Sequence, residues 1–212
     1  MARRHGTHDA RMRERLVREA ARIMAEEGVG DFGTAKRKAA ARLGAPDTRN
    51  LPQNREVQAA LREHQQLFEG EALRERLRRL RGTALEAMAL LEPFRPRLVG
   101  SVLKGTATAH SDVNLHLFSE PAEEVAIFLM DRRIPFEEDS RRLRFGRDDY
   151  RDYPVYRFLA GDTAIDLTVF SLAGLRQAPR SSVDGQPMER AARPAVERLL
   201  EEGEPDLGPA WG

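Results

Sequence analysis

A chain of 212 residues with 41% hydrophobic and 33% charged side chains and a formal net charge of +1 has the make-up of a globular protein of one or two domains, which excludes fibrous and disordered classes. No apolar run approaches the roughly 20 residues of a membrane helix, and the first residues lack the apolar stretch of a secretory signal. The absence of cysteine removes disulfides, thiolate metal sites and cysteine nucleophiles, so a cytoplasmic location without a membrane partner is expected. The small net charge hides an asymmetry: residues 1–92 carry 19 Lys and Arg against 14 Asp and Glu, while 93–212 carry 16 against 20. A basic half attracts phosphates, which makes RNA a conceivable partner through Arg74, Arg78 and Arg81, spaced to share one helix face.

Taken in order, residues 1–92 read as a helical region. Over 9–27 the apolar residues Met12, Leu16, Ala20, Ile23 and Met24 recur at helical spacing, with Thr7 or Asp9 as cap and Gly28 and Gly30 as stop. Thr34 is expected to cap a short helix reaching Leu43, closed by Gly44. After a loop at 51–54, Val57, Leu61, His64 and Phe68 form one stripe, and Leu73, Leu77, Leu80, Ala84, Met88 and Leu91 another. Gly70 separates or bends these two helices, and Pro93 and Pro96 end the second.

From residue 93 the pattern changes to short strands around one helix. Residues 97–102, 113–118, 141–145, 155–159 and 164–170 read as strands and 123–132 as a helix entered through Ser119 and Pro121. Gly161-Asp162 reads as a tight turn. A turn-rich stretch from Leu175 leads to a helix at 189–200, and 203–212 are expected to fray. The fold class is therefore α+β: a helical N-terminal region (1–92) followed by a small mixed sheet (93–212).

The chemically informative run is 98–118. A strand ends at Gly100-Ser101, where exposed backbone N–H groups can hold phosphate oxygens; Lys104 and Gly105 follow, and Ser111-Asp112 opens a strand. Alternation puts Asp112, Asn114 and His116 on one face and the apolar Val113, Leu115 and Leu117 on the other. Asp166, between Ile165 and Leu167, repeats the design of one carboxylate on an apolar strand.

These residues resemble the signature of the polymerase-beta-like nucleotidyltransferase superfamily over about residues 83–170. Gly100 and Ser101 match its turn, Lys104 and Gly105 its basic-Gly pair, Ser111 and Asp112 its Ser-Asp, and Asp166 its third carboxylate. The resemblance implies a nucleoside triphosphate held by Gly100, Ser101, Lys104, Gly105 and Ser111. It also implies Mg²⁺ or Mn²⁺ on Asp112 and Asp166, and transfer of a nucleoside monophosphate to an acceptor. Asn114 departs from the pattern, since active members carry a second metal-binding carboxylate there; an amide supplies no charge to a divalent cation. The alternative to a working transferase is thus a catalytically degenerate nucleotide- or RNA-binding regulatory module, and Asn114→Asp is expected to strengthen metal binding. The whole chain is also similar to an uncharacterised bacterial family sharing the Ser111 to Phe118 run, whose members are often labelled muramate–alanine ligases. The chain itself holds no Walker-form Gly-Lys-Thr/Ser run.

Overall fold

The computed structural model describes residues 2–46 and 50–202, with side chains from Ala10 onward; the expected fraying of 203–212 lies outside the described residues. The fold is α+β, with N-terminal helices followed by a five-stranded mixed sheet. The sequence changes character at residue 93, whereas compact packing divides the chain inside a helix, after Leu73. One unit joins the residues up to Leu73 to Thr108–Ser111 and Ser182–Gly185, and the other takes the rest of the described chain.

The first unit is built on α1 (Ala2–Glu27), α2 (Phe32–Arg42) and the start of α3 (Asn54–Leu90). Leu16, Ala20, Ile23 and Met24 of α1 are buried with Ala35, Ala39, Val57 and Leu61 in one cluster, as the helical spacing of the α1 residues requires. Three local expectations are corrected. The backbone of α1 is helical from Ala2, so Thr7 and Asp9 lie inside the helix. The cap of α2 is Asp31, which accepts the N–H of Thr34 at 2.7 Å; the helix starts at Phe32, so Thr34 is already its third residue and supplies one of the orphan donors that the carboxylate satisfies. The stripe of α3 leaves the core before its end, with Phe68 74% exposed at the lip of a recess of about 770 Å³ lined by Leu43, Ala60 and Leu67 among others.

Gly70 does not interrupt α3, which is continuous for 37 residues. In the second unit its Leu77, Leu80, Ala84, Met88 and Leu91 are buried. Arg81, expected on an exposed basic face, is 3% exposed and donates to the carbonyls of Val102 and Leu199 at 3.3 and 3.2 Å. That guanidinium satisfies backbone acceptors and is not available to RNA.

Strand β1 (Arg97–Val99) stops three residues short of its expected end, because Gly100–Lys104 turn into the short helix α4. β2 (Val113–Phe118) follows, then α5 (Glu123–Asp131), β3 (Glu137–Arg144), β4 (Tyr150–Ala160), β5 (Thr163–Phe170) and α6 (Arg193–Glu201). The order across the sheet is β1-β2-β5-β4-β3, with β2 and β5 parallel and the other pairs antiparallel. β3 and β4 are longer than the apolar runs 141–145 and 155–159 suggest, since their outer residues pair in a hairpin in spite of being charged. α6 begins four residues after its expected start. Ala191 is held in an antiparallel bridge to Leu98, and Pro194 sits in the first turn, where its missing N–H costs nothing. Val113, Leu115, Leu117, Ile165 and Leu167 are all fully buried, and each contributes about 1.5–3 kcal/mol of apolar burial.

Candidate functional site

The parallel pairing of β2 with β5 sets the site. Asn114 lies opposite Asp166, and His116 opposite Thr168; alternation therefore brings all four to one sheet face, with Asp112 one step before the strand. Gly100 is adjacent. A Cβ built on it would sit 3.7 Å from Asn114 Nδ2, an ordinary contact, so the glycine is required by its φ of 77° and not by lack of space. Ser101 O accepts from Gly105 and Thr106, and Gly105 at φ 72° closes α4 after Lys104. Ser111 is grouped with the first unit, where its hydroxyl accepts the Thr108 N–H at 2.9 Å.

Asp166 is where the structure adds what the sequence does not show. Its side chain is 2% exposed and both oxygens are taken by guanidinium groups. Arg141 of β3 donates through Nη1 to Oδ1 and through Nη2 to Oδ2, each at 2.8 Å, and Arg157 of β4 donates to Oδ2 at 3.0 Å. Arg141 Nη1 also reaches Thr168 Oγ1 at 3.2 Å. The register explains the meeting: Arg157 is opposite Asp166, and Arg141 lies one strand further out on the same face. Neither arginine was among the residues singled out from sequence, because no motif or spacing ties positions 141 and 157 to 166. Only Arg157 interrupts an apolar run, 155–159, and nothing in that run names its partner; Arg141 lies in a strand that is mostly charged.

Asn114 donates to the backbone carbonyl of Asp112 at 3.2 Å. Burial pushes the Asp112 carboxyl above its ordinary range, and the nearby charge of Asp166 adds to this; Arg157 and Arg141 pull the other way. These four charges thus share one electrostatic site and sum to zero. Next to them, His116 is 3% exposed and accepts at Nδ1 from Arg190 Nε at 2.9 Å. Burial pushes its imidazole well below the ordinary value, helped by the charges of Arg190 and Arg141. The ring packs 4.6 Å from Phe170, which in turn meets Phe118 and Tyr153. The site face is therefore polar at the Asp112 end and aromatic at the Phe118 end.

His116 should leave a mark on stability. It is neutral when folded, but in the unfolded chain it takes a proton near its ordinary value of 6.5. Below that pH the unfolded state binds more protons, so the contribution is whole above pH 6.5 and is lost progressively as the pH falls from there toward the depressed folded value. Melting curves between about pH 7 and pH 5 are expected to show a loss approaching ~1.4 kcal/mol per unit that His116→Gln removes. Asp112, with its raised value, works in the opposite sense at lower pH and is left in place by that variant.

The donor set for a divalent cation is poor. Among the described residues no three His, Cys, Asp or Glu side chains converge. Of the two carboxylates expected to bind metal, one has both oxygens committed to arginine. The residues present do not fit a two-cation site. The chain matches no family model and no curated protein. No helix among the described residues is long and apolar enough to cross a membrane.

Proposed function

We propose that the second unit is a catalytically degenerate nucleotidyltransferase-like module that binds the phosphates of a nucleoside triphosphate with arginine side chains in place of metal ions. The observation that carries this reading is the double guanidinium clamp on Asp166. Two positive groups within 3.0 Å of that carboxylate occupy the electrostatic role of a cation, and Asn114 leaves the site one anion short of what a pair of cations needs. Arginine is suited to the substitution, because its planar fork matches phosphate oxygens and stays charged.

One observation favours a working transferase instead: Asp112, Asn114 and Asp166 do share a face beside the Gly100 turn. For Mg²⁺ or Mn²⁺ to sit on Asp112 and Asp166, Arg141 and Arg157 would have to release Asp166. RNA is the weaker partner for residues 1–92, since Arg13, Arg18, Arg22 and Arg42 are paired with glutamates there.

Thermal melting with ATP, GTP, CTP and UTP, with and without Mg²⁺, separates these readings. Stabilisation by a triphosphate that is equal in EDTA supports the degenerate module; stabilisation that appears only with Mg²⁺ supports the transferase, and none at all rejects both. In the same assay Asn114→Asp is expected to tighten Mg²⁺ binding roughly tenfold, about 1.4 kcal/mol, and more when combined with Arg141→Met. Without metal the added carboxylate repels Asp112 and Asp166, so the variant should melt below the parent. Equal metal-induced shifts in parent and variants would place residue 114 outside any metal site.

A further inference from the structure

Arg190 is held on the site face by neutral groups alone. Its Nε donates to His116 Nδ1 at 2.9 Å and its Nη1 to the Gly174 carbonyl at 2.7 Å. Its guanidinium carbon lies 5.1 Å from the centre of the Phe118 ring and 4.8 Å from that of Phe170. Nη2 is buried and has no hydrogen-bond partner among the described residues. The charged neighbour it feels is Arg97, which the β1–β2 register sets opposite His116. A partly buried guanidinium without a counter-charge is costly, and ring faces return only part of that cost.

From this geometry we infer that Arg190, flanked by Arg97 and oriented by His116, is a binding site for a phosphoryl oxyanion. The two N–H groups of Nη2 supply the donors, and the second cation favours a dianion over a carboxylate. His116 accepts at Nδ1 and so keeps its proton on Nε2; as a neutral ring it fixes the guanidinium without drawing the anion itself. Burial lowers Arg190 to about 10; Tyr153 opposes that fall and the charge of Arg97 adds to it. The site requires no base recognition and stands whether or not the Asp112 face binds nucleotide. The anion is the phosphate end of a nucleotide or free inorganic phosphate.

The test is an NMR titration of the full chain at constant ionic strength with phosphate, pyrophosphate, ATP and, as control, acetate, following the Arg190 Nε–H signal in the parent and, in parent and variants alike, the backbone amides of His116 and Gly174. A saturable shift with phosphate or pyrophosphate and none with acetate is expected. The Kd should weaken at least tenfold in Arg190→Met and by less in Arg190→Lys. No saturable shift in the parent, or an unchanged Kd in Arg190→Met, overturns the assignment; the parent titration decides the matter alone if the variant does not fold. ATP displacing phosphate at this signal identifies the nucleotide as source, and ATP binding without displacement identifies the free anion; both outcomes uphold the site. ATP binding that persists while phosphate fails to shift the signal would end this inference and leave the proposed function standing.

Discussion

Asp166→Asn is expected to destabilise the sheet unit by about 3 kcal/mol, among the largest effects of any single change at the site. The carboxylate is 2% exposed and receives three charge-assisted bonds from two arginines. Removing the anion leaves two guanidinium groups side by side with their shared partner gone, and taking one member from a buried pair costs on the order of 3–5 kcal/mol. The low end applies because both arginine side chains are a little over one-third exposed, so water recovers part of the loss. Asp112 recovers a further part, since it loses a repulsive neighbour and keeps Arg157 and Arg141 nearby. Denaturant unfolding at unchanged m measures the difference, and a cycle with Arg157→Leu isolates the pair. A loss below about 1 kcal/mol would mean that the clamp is screened like a surface ion pair.

Phe170→Ala is expected to cost about 4 kcal/mol, within the usual range for deleting a buried ring. Phe170 is 1% exposed and touches His116, Phe118 and Tyr153, with Arg190 over its face. Its removal both opens a cavity and lets water reach His116, so the imidazole should titrate closer to its ordinary value and the acid-side slope should shrink. Phe170→Leu fills most of the space and should recover more than half of the stability. Stability recovered without recovery of the slope would separate packing from the shielding of His116.

The strand Val113–Phe118 was legible because one of its faces is wholly apolar and the other opens with Asn114 and His116; period-two alternation fixes both its type and its orientation. The meeting of Asn114 with Asp166 followed less directly, since it depends on β2 pairing parallel to β5, which no local pattern encodes. The clamp was not legible at all. Arg141 and Arg157 reach Asp166 only through the register of three strands, and a register is a property of pairing, not of any segment. β3 illustrates the same limit: Glu-Glu-Asp-Ser-Arg-Arg-Leu-Arg has no apolar alternation, and it is a strand because β4 supplies its hydrogen bonds. Local chemistry misled at the helix ends, where Asp31 displaced Thr34 as cap; at Gly70, left open between a bend and a break, the helix runs on, since a lone glycine costs only about 1 kcal/mol there. Arg81 misled for a related reason. Its spacing placed it with Arg74 and Arg78, but burial is decided by what packs against a face.

The two borders of the sheet bear on self-association. β3 forms one border, and six of its eight residues are charged, with both signs present, so an incoming strand would have to desolvate them to pair. At the other border β1 is three residues long, and Leu98 exchanges both of its backbone hydrogen bonds with Ala191 at 2.9 Å. A second chain adding edge to edge therefore meets ionised side chains on one flank and already spent amides on the other. Growth of the sheet by strand addition, the first step toward fibrils, is opposed at both ends.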